Sequence, residues 1–470
     1  MSDREKRRIL VLLSGVVVLL IALMVYLTYF MIFEGETYRS SSQNRRNTIE
    51  SANILRGSFY DRDNQVLAQT IINEDGKKIR SYSYPHLYSH VIGYTFPDLG
   101  KSGLELTMDE YLTNRHSLGI EEAIKKYFER ESTGHSIRLS IDTQVQLKSS
   151  ELLGDNKGAI VALNPKTGEV YSMVSKPNFN PVNLRENWKE INESGESPLF
   201  NRAINGLYPP GSVMKVISTA SILEEKIPLD YTHTGTQVID GYEYKDATSR
   251  QYGEIGLEEA FIRSLNTYFV DKIQKVGQSK FEQTASRFMF EETIPFELPI
   301  SKSTLNFSSS TNKNQLSASS IGQGRVLSTP MEMALMASAI ANNGTIMKPY
   351  LVSEIIKPDN TVFKTTEPEV LSQAISPELA EEINKLMIKT TNLGTGKSAS
   401  IRNIQVSSKT GTAENETGKT HAWYVGFAPA EDPVVAVAVI VEQGGSGGEV
   451  AAPIGRDVII SVLNNISVIQ

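Results

Sequence analysis

The sequence predicts a mixed α and β protein that is carried on one N-terminal transmembrane helix and has two parts beyond that helix. Three patterns indicate this class. Residues 9–33 form an uncharged run dominated by Leu, Val, Ile and Met. Residues 158–163 and 169–174 are apolar runs joined by Asn-Pro-Lys-Thr-Gly, which is typical of a β-hairpin. Apolar residues then recur at helical spacing after Ser212.

The composition is that of ordinary globular protein and excludes collagen, coiled-coil rods and bulk disorder. The chain has 470 residues, of which 40% are hydrophobic and 21% are charged. With 47 Lys+Arg and 54 Asp+Glu, the net charge is 47 − 54 = −7, which does not indicate a nucleic-acid partner. The count of Cys is 0, so the sequence excludes thiolate nucleophiles, Cys-ligated zinc and disulfides.

The apolar run predicts a retained membrane anchor. Its 25 residues would form a helix of about 37 Å, enough to cross a hydrocarbon core of about 30 Å. Four basic residues precede the run, namely Arg4, Lys6, Arg7 and Arg8. Two acidic residues, Glu34 and Glu36, follow it. The positive-inside rule therefore predicts residues 1–8 as a cytoplasmic tail, with all residues after 33 outside the cell membrane. A cleaved signal peptide is the alternative, but the run is long for one and no Ala-x-Ala site closes it.

The remainder divides into a polar, short-stranded spacer over residues 34–152 and a large mixed domain over residues 153–470. The spacer contains turn signals at Asp63-Asn64 and at 98–100, and a charged helical stretch at 119–129. The predicted elements of the large domain are the hairpin, helices after Ser212 and over 330–341, strands over 422–429 and 433–441, and a flexible glycine-rich loop at 444–448.

Histidine and metal chemistry is not indicated. His86 and His90 have the spacing of zinc ligands on a helix, but no Glu follows His86 and Pro85 argues against a helix there. His421, close to Trp423, is expected to be a packing residue at a strand end. The sequence contains no phosphate-binding Gly-x-x-x-x-Gly-Lys motif. We therefore expect no metal site and no cofactor.

Three short motifs remain as candidate chemistry. They are Ser212-Val-Met-Lys215, Ser264-Leu-Asn266 and Lys409-Thr-Gly-Thr412. Each also occurs elsewhere, at 310–313, at 42–44 and 51–53, and at 166–168. Context selects the first set, because Ser212 follows Pro-Pro-Gly and opens a helical pattern, whereas residues 310–313 are in a polar loop. Lys166 is in the hairpin turn, whereas Lys409 precedes the strand around 421–427.

The spacing of Ser212 and Lys215 gives them a common helix face, so Lys215 is a candidate base for the Ser212 hydroxyl. To act as a base at neutral pH, a Lys needs its pKa lowered by about three units from about 10.4. This shift costs about 4 kcal/mol. A helix N-terminus supplies only about 0.3–1 kcal/mol. Burial and a second cation must therefore supply the rest, and Lys409 is the candidate. Ser264 would relay protons, and Asn266 could hold a peptide amide.

In this order, the three motifs resemble those of the penicillin-binding proteins, and the rest of the chain resembles the monofunctional class B, closest to its short Gram-positive penicillin-binding protein A type. The spacer is similar to the pedestal of that class at 56–57, 60–68, 90–94 and 103–105, and the large domain is similar to its transpeptidase domain at 322–324, 329–334, 394–396 and 421–429. Asp63-Asn64 departs from the Asn-Gly that the family often has there.

The resemblance implies a penicilloyl-serine transferase, or β-lactamase-like, fold: an antiparallel five-stranded sheet flanked by helices, with an N-terminal α+β pedestal. It implies a peptidoglycan D,D-transpeptidase, in which Ser212 attacks a D-Ala-D-Ala stem peptide and the acyl-enzyme is transferred to an amine, with covalent inhibition by β-lactams. Thr410, Gly411 and Thr412 would bind substrate, and backbone N–H groups of Ser212 and Thr412 would form the oxyanion hole. A membrane-embedded SEDS-type glycan polymerase is the implied partner.

Three alternatives stay open. A β-lactamase would need a water-activating group, commonly Glu-x-x-x-Asn, and that pattern is absent between Asn266 and Lys409. A D,D-carboxypeptidase would also use water, and the sequence excludes it less well. A non-catalytic β-lactam sensor would need several spans and a cytoplasmic effector, and the tail has only eight residues.

Overall fold

The computed structural model describes residues 2–30, 54–115 and 133–466. The predicted helical stretch at 119–129, the Ser-x-Asn matches at 42–44 and 51–53, and the last residues of the predicted transmembrane run lie outside these ranges.

Within the described ranges, the strands are β1 (Phe59–Tyr60), β2 (Val66–Ile72), β3 (Lys78–Tyr82), β4 (Thr95–Phe96), β5 (Gly100–Lys101), β6 (Ser136–Leu139), β7 (Gly158–Leu163), β8 (Val170–Lys176), β9 (Tyr231–His233), β10 (Thr236–Ile239), β11 (Tyr242–Lys245), β12 (Gly253–Ile255), β13 (Thr345–Met347), β14 (Val352–Ile356), β15 (Val362–Thr365), β16 (Val370–Gln373), β17 (Ser407–Ala413), β18 (His421–Ala428) and β19 (Val435–Val441).

The α-helices of the same ranges are α1 (Asp3–Tyr29), α2 (Gly103–Thr107), α3 (Asp109–Leu112), α4 (Thr143–Leu153), α5 (Trp188–Glu193), α6 (Arg202–Asn205), α7 (Lys215–Glu224), α8 (Leu257–Arg263), α9 (Asn266–Val276), α10 (Gln278–Arg287), α11 (Lys313–Ser320), α12 (Pro330–Ala341), α13 (Pro377–Leu393) and α14 (Ala452–Asn465). Two 3₁₀ turns (Gly211–Met214 and Lys397–Ala399) and a π-helical turn (Gly447–Ala451) complete the helical elements.

The centre of the large domain is a five-stranded sheet in the order β17-β18-β19-β7-β8. Every neighbouring pair in it is antiparallel, which confirms the predicted sheet. Alternate residues of β19 enter two different hydrophobic clusters, with Ala438 and Ile440 in one and Val437 and Val439 in the other. Because both faces are buried, these strands read as continuous apolar runs in the sequence.

Helices cover the two faces of this sheet. Helix α12 packs on one face, and its predicted span of 330–341 is confirmed, with the Thr329 side chain accepting a hydrogen bond from the Glu332 N–H at its start. Helix α14 packs on the other face through Val458, Ile459 and Val462. The sheet is therefore a rigid platform whose edge strand β17 carries Lys409.

The pedestal and the large domain share a second sheet of six strands, in the order β15-β14-β6-β1-β2-β3. Strands β14 and β15 come from residues 352–365, within the large domain by sequence, and β14 pairs antiparallel with β6 of the pedestal. Main-chain hydrogen bonds thus connect the two parts.

A buried ionic cluster organises the pedestal. Glu105 is fully buried and accepts from Arg56 at 2.5 Å and from Arg80 at 2.7 Å. Arg56 also pairs with Asp109. Two arginines hold the pKa of the Glu105 carboxyl below its usual value, although burial alone would raise it. The cluster brings together residues 56–57 and 103–105, two of the segments that resemble the class B pedestal.

Helix α1 contains one apolar window long enough to cross a membrane, with a mean hydropathy of 3.0 and no part buried. It begins with a capping box at Ser2 and Glu5. The charged residues occupy its first turns and the apolar residues the rest, as a membrane anchor requires.

Candidate active site

Ser212 and Lys215 lie one helical turn apart at the start of α7. Residues Gly211–Met214 form a 3₁₀ turn that continues directly into α7, and the Lys215 N–H donates to the Ser212 carbonyl. In a 3₁₀ turn the side chains of residues i and i+3 are eclipsed, so this geometry aligns the two side chains more closely than a regular α-helix would. The prediction that Ser212 stands at a helix start is confirmed.

Two close backbone approaches fix this turn. The Gly211 N–H donates to the Gly322 carbonyl at 2.8 Å, and a Cβ on Gly322 would lie 2.0 Å from the Gly211 carbonyl oxygen. A Cβ on Gly411 would lie 3.0 Å from the Pro210 carbonyl oxygen and 2.8 Å from the Val213 side chain. Glycine at these positions allows residues 322–324 and strand β17 to pack closely against the turn from two sides.

Ser264 occupies a left-handed conformation between two helices. Its φ is 59°, it ends α8, and Asn266 begins α9 two residues later. The Lys215 Nζ lies 2.7 Å from the Ser264 carbonyl oxygen, 3.2 Å from the Ser264 hydroxyl and 2.7 Å from the Asn266 Oδ1, all within hydrogen-bond distance. The first two sequence motifs therefore meet at one nitrogen.

Lys409 brings the third motif to the same hydroxyl. Its ammonium donates to Ser264 Oγ at 2.9 Å and to the Thr410 carbonyl at 3.1 Å. The side chains of Lys215 and Lys409 are both 0% exposed. Ser264 Oγ consequently lies between two buried lysines, and neither lysine is bonded to a carboxylate among the described residues.

This arrangement lowers the pKa of both lysines. Burial, and then the charge of Lys409, lowers the pKa of Lys215 well below its usual value, while Asp246 acts in the opposite direction. Burial lowers the pKa of Lys409 to about 7. An uncharged Lys215 at neutral pH is what a base for Ser212 requires.

In the rest of the third motif, Thr410 and Gly411 are buried and Thr412 is exposed. Thr410 donates its hydroxyl to Thr395 Oγ1 at 2.6 Å, whereas Thr412 is exposed on the edge strand. The Gly447 N–H donates to Thr412 Oγ1 at 3.4 Å. The predicted glycine-rich loop at 444–448 is irregular at 444–446, whereas its last two residues begin a π-helical turn, Gly447–Ala451, packed against β17.

The competing motif matches lie elsewhere. Lys166 is exposed and pairs with Asp432, and Lys313 begins helix α11 at the surface. His421 starts strand β18 and accepts at Nδ1 from the Gln443 N–H, while buried His90 bonds the Pro198 carbonyl. Sequence reasoning missed Thr395 and Asp246 as neighbours of the site, although Thr395 is within the noted Gly394-Thr-Gly396 segment.

Family models match both parts of the chain. Residues 158–459 match the penicillin-binding protein transpeptidase domain, and residues 56–137 match the penicillin-binding protein A dimerisation domain. Peptidoglycan D,D-transpeptidase PbpA of Mycolicibacterium smegmatis is 33% identical over 96% of this chain and 97% of that protein. The protein of the same name from Mycobacterium tuberculosis is 32% identical over 95% of this chain and 97% of its own length.

Solved structures agree in fold. A ceftriaxone acyl-enzyme complex of penicillin-binding protein A from M. tuberculosis superposes with a TM-score of 0.83 at 31% identity, covering 88% of this chain and all of that one. Its penicillin G acyl-enzyme complex gives a TM-score of 0.81 at 32% identity, covering 87% of this chain and 99% of that one. With the three motifs meeting at the Ser264 hydroxyl, this chain belongs to the class B penicillin-binding proteins, the serine-type peptidoglycan D,D-transpeptidases.

Proposed function

We propose that Ser212 is the nucleophile of this transpeptidase. Its Oγ attacks the carbonyl carbon of the penultimate D-Ala, the peptide bond to the terminal D-Ala breaks, and D-Ala leaves with a proton on its amine. An amine of a neighbouring stem peptide then attacks the ester, forms the cross-link and returns the proton to Ser212. A β-lactam follows the first half of this sequence, because its ring amide takes the place of the peptide bond.

Lys215 acts as the general base for both attacks. Its hydrogen bonds to two carbonyl oxygens fix the nitrogen, and burial beside Lys409 favours the uncharged amine. Ser264 passes the proton towards the leaving amine, since its hydroxyl contacts both lysines. The single observation that carries the proposal is this hydroxyl, held 3.2 Å from one lysine and 2.9 Å from the other.

Substrate binding is assigned to the edge strand and to Asn266. Strand β17 is the outer strand of its sheet, so alternate backbone groups face away from β18. Thr410 and Thr412 hold the substrate carboxylate, Gly411 keeps the strand close to the nucleophile turn, and Asn266 holds a peptide amide. The backbone N–H groups of Ser212 and Thr412 form the oxyanion hole, each worth a factor of about 10² to 10³ in rate.

Transfer rather than hydrolysis distinguishes a transpeptidase from the carboxypeptidase alternative. When the full chain in detergent is given a D-Ala-D-Ala stem peptide and an amine acceptor, we expect mass spectrometry to detect the cross-linked product, with D-Ala released in equal amount. Without acceptor, D-Ala release should slow. Release of D-Ala at the same rate with and without acceptor, and no cross-linked product, would instead identify a carboxypeptidase.

We further propose that residues 1–8 are a cytoplasmic tail, 9–33 a transmembrane helix, 34–152 an extracellular pedestal and 153–470 the extracellular transpeptidase domain, and that anchor and pedestal contact a SEDS-type glycan polymerase. Since the chain has 0 Cys, introduced cysteines report topology cleanly. An impermeant maleimide should label Glu74→Cys in intact cells but should label Ser2→Cys only after lysis. The reverse pattern refutes this topology.

The polymerase should co-purify with the full chain, and this co-purification should be lost when an unrelated transmembrane span replaces residues 9–33. Equal co-purification of both forms refutes a contact through the anchor.

A further inference from the structure

Asp246 is a buried carboxylate beside the helix that carries Asn266. Its side chain is 1% exposed. One oxygen, Oδ1, accepts from the Thr267 N–H at 3.1 Å, and the other, Oδ2, accepts from the Thr267 hydroxyl at 2.7 Å. Thr267 is the second residue of α9, so both bonds end at the first turn of that helix.

His233 orients this carboxylate. The backbone N–H of Tyr252 points at His233 Nδ1 at 3.3 Å, which makes Nδ1 an acceptor. The ring proton is then on Nε2, which donates to Asp246 Oδ2 at 2.8 Å. The imidazole is 0% exposed, and His233 is the last residue of β9, where it pairs with Gly253 of β12. Asp246 therefore acts only as an acceptor, for three donors.

Helix α9 has no cap of its own. Leu265 occupies its N-cap position, and an apolar side chain cannot accept from the first N–H groups. Asp246 supplies that acceptor from outside the helix, with a negative charge at its positive end. The neighbouring Lys245 carbonyl accepts from Asn266 Nδ2 at 3.0 Å. The last residue of β11, Lys245, and the residue after it, Asp246, thus hold the two residues that open α9.

The charge of Asp246 also reaches the catalytic lysine. Asp246 raises the pKa of Lys215, against the larger effects of burial and of Lys409, which lower it. The titratable groups that face Asp246 are His233 and Tyr231 from β9 and Lys215 from α7.

We propose that Asp246, oriented by His233, is a positioning residue of the active site: its carboxylate caps helix α9 from outside and so fixes Ser264 and Asn266 against Lys215. The proposal rests on the proposed function, in which Lys215 is the base. It differs from a purely structural cap because it requires the carboxylate charge, and not only its shape, to act on the reaction.

The test is the pH profile of acylation by a fluorescent penicillin, measured as a second-order rate on the full chain in detergent. In Asp246→Asn the maximal rate should fall about tenfold or more, because a side-chain amide cannot accept from all three donors. The acid limb of the profile should also move to lower pH by about half a unit or more, because removal of a negative charge lowers the pKa of Lys215. His233→Gln keeps a donor for Asp246 without an ionisable ring, so its acid limb should coincide with that of the wild type.

Asp240→Asn is the matched control. It removes the same charge from an exposed turn of the same hairpin, at a residue whose φ of 44° suits Asn, and its profile should match the wild type. An unchanged profile in Asp246→Asn, or a lower rate with an unmoved acid limb, overturns the proposal, and so does a shift in His233→Gln as large as that in Asp246→Asn. Absence of Ser212 labelling in the wild type would reject the proposed function instead. If Asp246→Asn does not fold, ¹⁵N NMR of the wild type decides, since a proton on His233 Nδ1 contradicts the arrangement.

Discussion

Ser212→Ala is expected to abolish covalent labelling of the protein by a fluorescent penicillin. Within the described residues, Ser212 is the hydroxyl residue that lies one 3₁₀ turn before Lys215. Its replacement therefore removes the attacking atom, and acylation is lost rather than slowed. Transfer of stem peptides to an amine should be lost as well. Gel fluorescence after denaturation measures the covalent product, and thermal unfolding of the same preparation verifies that the variant is folded.

Ser310→Ala is the control for this loss, because Ser310 begins the second Ser-x-x-Lys match and is exposed in a loop. It should label at the wild-type rate. Persistence of labelling in Ser212→Ala would show that Ser212 is not the nucleophile. Loss of labelling in Ser310→Ala would show that residues 310–313, and not 212–215, form the catalytic motif.

Lys215→Arg is expected to reduce the second-order rate of acylation by about 10³-fold, within the usual range for loss of a general base. The guanidinium keeps the positive charge but cannot lose a proton near neutral pH, so it cannot take the proton of Ser212. Stopped-flow or quenched labelling measures this rate. Lys313→Arg makes the same substitution in the competing motif and should leave the rate unchanged.

The pH dependence follows from the same lysine. Because burial and Lys409 lower the pKa of Lys215, we expect the wild-type acylation rate to be high at neutral pH and to fall on acidification, as Lys215 gains a proton. Lys215→Arg should lack that acid limb, since its side chain stays protonated throughout. Equal rates for the arginine variant and the wild type would refute the general-base role.

The parts of the fold that sequence predicts well are those set by local pattern. The hairpin of β7 and β8 was visible as two apolar runs around a turn, and Gly168 adopts the left-handed φ of 86° that such a turn requires. The helical start at Ser212 was visible from Pro-Pro-Gly and the apolar period that follows. Both depend on residues close together in the chain.

The parts that sequence did not predict depend on long-range pairing. Strands β14 and β15 join the pedestal sheet, although they lie more than two hundred residues after β6. Asp246 reaches the site only because it directly follows the β10–β11 hairpin, which ends at Lys245 and folds onto α9. No local pattern distinguishes such a carboxylate from an exposed one, so its role appears only with the fold.

The measurement that tests the central claim most directly is the location of the penicillin adduct by tandem mass spectrometry. Trypsin cleaves after Arg202 and after Lys215, and the resulting peptide of residues 203–215 contains Ser212 as its only Ser or Thr. After reaction with penicillin G, we expect the mass of the opened antibiotic on this peptide, with fragment ions that place it on Ser212. An adduct on any other peptide would contradict the assignment.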